Sequence, residues 1–195
     1  MTKDALIVFV KKPEAGKVKT RLAASIGNEQ ALDVYLKLLE RTREITQPLA
    51  FDKFIYYSPE IIHDDLWDEN EYFKARQEEG DLGQKMQAAF KECFAAGYRR
   101  VCIIGSDCYQ LNTKILEQAF SQLHHHDVVV GPSTDGGYYL LGMEKMHAPL
   151  FANKTWSSER VLSDTIADFV AQRLSYYPLP QLTDVDRKED LKTME

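Results

Sequence analysis

The sequence has only three cysteines, at positions 93, 102 and 108. Their number is odd, none forms a CxxC pair, and their local patterns are those of a helix, a buried strand and a strand end. A disulfide framework is therefore excluded, and free thiols in a reducing cytoplasm are the simplest reading. Long apolar runs are also missing. The longest, at 5–10 and 101–105, are far too short to cross a bilayer. The N-terminal MTKDALIVFV carries an acid near its start and no small-residue cleavage site, which argues against a signal peptide. Positive charge is not in excess either: a net charge of −6 argues against a general binder of nucleic acid or membrane surfaces. No repeat, low-complexity tract or Ser/Gly linker interrupts the chain, so residues 1–195 are read as one domain.

What is present is the alternation of an α/β protein. Residues 5–10 form a continuous apolar run, the pattern of a strand covered on both faces. Residues 30–45 carry Leu32, Tyr35, Leu36, Leu39 and Ile45 at helical spacing. Strands are predicted at 53–57 and 72–76, then a helix over 82–96 stopped by Gly97. A buried strand at 100–104, a helix over 113–124, and strands at 127–130 and 138–142 follow. Helices are predicted over 157–172 and 186–193. This order predicts a mainly parallel sheet flanked by helices, with one locally different element in the close-set pair around 127–143.

In such sheets ligands sit outside the carboxyl ends of the strands. That rule gathers the chemistry-bearing segments on one rim. The first strand runs into FVKKPEAGKVKTRL, with Lys11, Lys12, Lys17, Lys19 and Arg21. Gly16-Lys17 and Thr20 approach a P-loop, but Lys11 and Val18 stand where it needs Gly and Ser or Thr. Gly16 permits close backbone approach to an anion, and Lys17, Lys19 and Arg21 offer charge-assisted hydrogen bonds to phosphate. Such a run also reads as a solvated surface loop; its place beside glycine at a strand end favours the anion site. Gly105-Ser106-Asp107 leaves the fourth strand. Asp107 suits Mg²⁺ or Mn²⁺, although Gly-Ser-Asp by itself reads first as a helix N-cap or an Asx turn. Asp184-Val185-Asp186 puts two carboxylates on one face if extended, while Asp186 with Glu189 reads as an N-cap for the last helix. Thr134-Asp135-Gly136-Gly137 is a tight turn or a substrate-facing loop. His124, His125 and His126 close a helix and face its C-terminal dipole rather than a metal. Trp156 reads as a half-buried anchor with Ser157 or Ser158 as N-cap.

Taken in order, FVKKPEAGKVKTRLA, QEEGDLGQKM, IIGSDC, GPSTDGGYYLLGM and LTDVDRKEDL resemble the GT-A-fold family labelled radical-SAM/selenodomain-associated transferase. That family is related to the nucleotidyltransferases that load molybdenum cofactors and phospholactate, in the nucleotide-diphospho-sugar transferase superfamily. The resemblance implies a Rossmann-like GT-A domain that binds a nucleoside triphosphate or nucleotide-sugar with a divalent metal, Mg²⁺ or Mn²⁺. By motif, Lys11, Gly16, Lys19 and Arg21 match the phosphate loop, with Lys17 beside them. Gln77, Gly80 and Asp81 match the segment near base and ribose. Asp107 matches the metal-binding aspartate, Asp184 and Asp186 the metal and acceptor pair of the tail, and Asp135, Gly136, Gly137 and Tyr138 an acceptor-side loop. Tyr109 stands where the family pattern usually has proline.

The expected activity is nucleotidyl transfer from a nucleoside triphosphate to a small phosphorylated acceptor, with Lys19, Arg21 and Asp107 carrying the chemistry. A glycosyltransferase with a nucleotide-sugar donor, and Asp135 as base candidate, is the alternative. A nucleotide-binding module without turnover is a third reading, since fold alone does not establish chemistry.

Overall fold

An apolar run with no polar face must be covered on both sides, and residues 5–10 are. In β1 (Asp4–Lys11), Ala5 and Ile7 point into one core while Leu6, Val8 and Val10 point into the other. In β4 (Arg100–Ile104), Val101 and Ile103 take the first side, Cys102 and Ile104 the second. A computed structural model describes residues 3–195 and adds β2 (Asp52–Ser58), β3 (Tyr72–Arg76), β5 (Val128–Pro132), β6 (Tyr138–Met143) and β7 (Tyr176–Pro178). The seven strands form one sheet in the order β3-β2-β1-β4-β6-β5-β7. Among the described residues only β6 runs antiparallel to its neighbours, β4 and β5; the other pairs are parallel. It is the locally different element expected around 127–143.

One face is covered by α2 (Asn28–Thr46), through Tyr35, Leu39 and Ile45, and by α4 (Thr113–Gln122), through Leu116, Ala119 and Phe120. The other is covered by α3 (Leu82–Ala95), through Met86, Ala89, Phe90 and Cys93, and by Phe169 of α5 (Val161–Ala171). A short α1 (Thr20–Ile26), not foreseen in the sequence, joins the basic loop to α2. The sheet order reverses between β1 and β4, because β2 and β3 build out on one side and β4 starts the other. That crevice is where α/β sheets bind ligands.

Three expectations are corrected. Helix α5 begins at Val161 rather than 157, since Ser157 has a left-handed backbone (φ 64°) and no side chain caps the helix. The terminal element is a 3-10 helix, Lys188–Met194, and its start is closed by Asp190, whose carboxylate accepts from the amides of Asp186 and Arg187. Asp186 is therefore not its cap. The fourth helix stops at Gln122, before the histidines; His126 Nδ1 lies 3.2 Å from the Gln122 carbonyl and His124 rests against Arg100. Cys93, Cys102 and Cys108 are free and buried. No described helix is long and apolar enough to cross a membrane.

Candidate active site

The basic loop is braced by its own Glu14, by Glu60 beyond β2 and by the neighbouring helix. Lys17 pairs with Glu14 at 2.5 Å, and Lys12 with Glu60 at 2.6 Å. Gly16 takes φ 78°, so the chain turns there in a conformation that favours glycine. Tyr35 of α2 clamps the exit of β1: its hydroxyl accepts from the Lys11 amide at 2.8 Å and donates to the Lys11 carbonyl at 3.0 Å. Burial pushes this phenol up to about 12, so it stays protonated. The Lys11 side chain is exposed and without an ion pair among the described residues.

Lys19 behaves differently from the rest of the loop. Its backbone is left-handed (φ 48°, ψ 43°) at the entry to α1, and its side chain is 4% exposed. The ammonium crosses the β1–β4 crevice to lie 2.6 Å from Asp107 Oδ1 and 3.1 Å from Asp186 Oδ1. Burial alone would lower its pKa, but the Asp107 and Asp186 charges outweigh burial and raise it, so Lys19 is an ammonium at any working pH. Arg21, more exposed, stands 3.6 Å from Asp186 Oδ2. The basic loop and the acids after β4 and in the tail thus converge, as their positions on the strands predict.

The tail is laid over the rim by main-chain bonds. Leu182 donates to Pro132 at 3.1 Å, its carbonyl accepts from Thr134 at 2.9 Å, and the Val185 amide donates to Asp107 at 2.9 Å. Alternation then turns buried Val185 inward and the flanking acids away from it. Asp184 accepts from the Ser133 hydroxyl at 3.1 Å. Its carboxyl is pushed up to about 7 by burial and then by the charges of Asp107 and Asp135, against the pull of Ser133 and Lys19. Asp135 closes its own turn, accepting from the Gly137 amide at 2.9 Å. A Cβ on Gly136 would lie 2.2 Å from the Glu159 carbonyl oxygen, so the turn is locked against the 152–160 loop. Tyr138 points from the rim to Met86, 3.9 Å from its sulfur.

The segment matched to base and ribose has structural work of its own. The Gln77 amide donates to the carbonyls of Tyr56 (2.9 Å) and Val10 (3.3 Å), clamping the ends of β2 and β1 together. Asp81 and Gln84 form a reciprocal capping box at the start of α3, each bond 2.9 Å. Gly80 takes φ 120° beside it, where a Cβ would strike Gln84. Trp156 packs its ring on Gly83 of the same helix, which bears out a half-buried anchor.

The donor set suits a hard divalent cation: exposed carboxylate oxygens of Asp107 and Asp186, and a sheltered Asp184 whose ionisation the surrounding acids oppose. No close-set group of three His, Cys, Asp or Glu residues exists among the described residues. Two carboxylates completed by substrate phosphates and water are a common arrangement for Mg²⁺. Ser133, Glu14 and Tyr35 are not among the residues expected at the site; GPSTDGG contains Ser133, whereas helical spacing marks Tyr35 as a core position.

Comparison with known proteins follows the same lines. The family model described as "Uncharacterized protein conserved in bacteria (DUF2064)" matches residues 42–158. No match exists among curated proteins. A crystal structure from Desulfovibrio desulfuricans G20, described as a "putative nucleotide-diphospho-sugar transferase", is 33% identical, with a TM-score of 0.87, covering 96% of this chain and 84% of that one. A cytidylyltransferase from Leptospira borgpetersenii is 13% identical, with a TM-score of 0.61 over 92% of this chain and 76% of that one. Rv0371c from Mycobacterium tuberculosis, solved in complex with manganese, is 13% identical, with a TM-score of 0.54 over 99% and 97%. The last two share the fold.

Proposed function

The chain belongs to the DUF2064 family, and on that premise we propose that it is a metal-dependent nucleotidyltransferase of the cytoplasm, acting on a nucleoside triphosphate and a small phosphorylated acceptor. The observation that carries the reading is the meeting of Lys19 and Arg21 with Asp107 and Asp186 at the point where the strand order reverses. A cationic strand-end loop facing a carboxylate pair is what a polyphosphate and a divalent cation require together. The fold relatives named above add support of their own.

Asp107 and Asp186 would hold Mg²⁺ or Mn²⁺, and Asp184, whose ionisation the neighbouring acids oppose, would stand behind them; when bound, the ion neutralises charge on the α-phosphate. An acceptor phosphate oxygen attacks the α-phosphorus in line, the bond to the β-phosphate oxygen breaks, and pyrophosphate leaves. Little covalent work falls to the protein, so positioning and charge dominate. Lys11 and Arg21, the cations of the loop with exposed reach, face the leaving pyrophosphate. Lys17 is tied to Glu14 and contributes to the potential of the loop. The turn carrying Asp135, Gly136 and Gly137, with Tyr138 after it, borders the acceptor.

Pyrophosphate release is the test. The protein with Mg²⁺ or Mn²⁺, each nucleoside triphosphate and a panel of phosphorylated metabolites should release it with one triphosphate, and Asp107→Asn should cut the rate by about 10²-fold or more. A second reading, glycosyl transfer with Asp135 as base, is favoured by the likeness to the Desulfovibrio transferase. No release with any triphosphate, together with thermal stabilisation by a nucleotide-sugar, would move the assignment to it.

A further inference from the structure

The resemblance assigns Lys19 to substrate phosphate, yet in the ligand-free chain its ammonium is bonded to both carboxylates that the proposed function gives to the metal. We propose that Lys19 is a built-in counterion seated between Asp107 and Asp186, and that a divalent cation entering this seat expels it toward the phosphates of the donor. The inference rests on the reading of those two acids as metal ligands.

The geometry carries the exchange. One nitrogen lies 2.6 Å from Asp107 Oδ1 and 3.1 Å from Asp186 Oδ1, so both oxygens already face a single point. An ammonium and a dication cannot share that point, because each is held there by the same lone pairs and they repel one another. The occupant approaches from the protein side, being 4% exposed, whereas the Asp107 and Asp186 side chains are 47% and 37% exposed, so a hydrated ion has an open approach. The displaced group is on a flexible four-carbon stem. It is rooted in a left-handed backbone, a strained conformation for lysine that persists only where its surroundings hold it.

No other cation of the loop is placed to do this. Lys12 and Lys17 are tied to Glu60 and Glu14, Lys11 pairs with neither acid among the described residues, and Arg21 reaches only the far oxygen of Asp186. The exchange links the two ligands: metal binding frees a cation for phosphate, and phosphate that captures Lys19 clears the seat for metal. By linkage each tightens the other.

The test uses Mn²⁺ alone and the full chain. Amine acylation followed by peptide mass spectrometry reads Lys19 against exposed Lys17, before and after Mn²⁺ occupancy measured by electron paramagnetic resonance. Lys19 should be protected in the free protein and labelled several-fold faster once Mn²⁺ is bound. Lys19→Met, which keeps a long apolar stem, should lower the apparent Kd for Mn²⁺ by at least about tenfold, since the competing occupant is gone. Continued protection of Lys19 with Mn²⁺ bound, Mn²⁺ affinity in Lys19→Met no better than wild type, or no Mn²⁺ binding by either protein would overturn the proposal. If Lys19→Met does not fold, the wild-type labelling decides alone. A positive labelling result with no transfer activity would keep this inference and reject nucleotidyl transfer.

Discussion

The amide of Val185 donates to the carbonyl of Asp107 across 2.9 Å, joining the tail to the end of β4 through the main chain. The bond sets Asp184 and Asp186 in register with Asp107, because each flanks a residue whose side chain is wholly buried. Val185→Ala keeps the amide and loses packing; Val185→Pro loses both. The proline variant should lose about 2–4 kcal/mol of stability and bind Mn²⁺ markedly more weakly than the alanine variant. Equal Mn²⁺ affinities in the two would show that the amide does not position the acids.

The Asp184 carboxyl, raised from 3.8 to about 7, gives stability a defined pH dependence. Between about pH 4 and 7 the native state keeps a proton that the unfolded chain has released. This group's contribution is therefore most favourable at the acid end and is lost as pH rises through 7. Asp184→Asn should be more stable than wild type at pH 8 by about 1–3 kcal/mol, the advantage shrinking as pH falls toward 4. Urea unfolding at pH 5 and pH 8 measures it. The same gap at both values would remove Asp184 as the source.

Two glycines fix the 152–160 loop against the rim. Gly136 takes φ 88°, and a Cβ there would meet the Glu159 main chain; on Gly83 it would lie 2.3 Å from the Trp156 ring. Gly136→Ala combines backbone strain with a clash against main chain and should cost about 2–4 kcal/mol. Gly83→Ala meets only a side chain, should cost about 1–3 kcal/mol, and should shift Trp156 emission to the red as the ring is lifted off α3. An unshifted spectrum in folded Gly83→Ala would mean that the ring and the helix are not in contact.

Much of this was legible in the sequence, for physical reasons. Continuous apolar runs announce strands covered on both faces, and strand ends announce a shared rim; so Lys19, Arg21, Asp107 and Asp186 were expected together and are found together. Less visible was the division of labour inside a charged run. Spacing shows five cations in the loop but not that Glu14 and Glu60 neutralise two of them while Lys19 turns inward. Gln77 and Asp81 show the same limit. The resemblance sets them near base and ribose, but the turn pattern does not disclose the strand clamp and the helix cap that they also form. Asp186 erred the other way: local pattern suggested a cap, but Asp190 took that task and left it for Lys19.

The lone antiparallel strand has a metric consequence. With β6 between them, β4 and β5 point the same way but stand two interstrand steps apart, roughly 10 Å. The tail spans that gap in three residues, from Leu182 against the end of β5 to Val185 against the end of β4. The shelf at Asp107 and the shelf at Asp135 are thus spaced by the lattice of the sheet, a ruler that side-chain changes cannot reset. Substitutions in either loop can alter what is held at each end, while the separation between the two holdings stays with the strands.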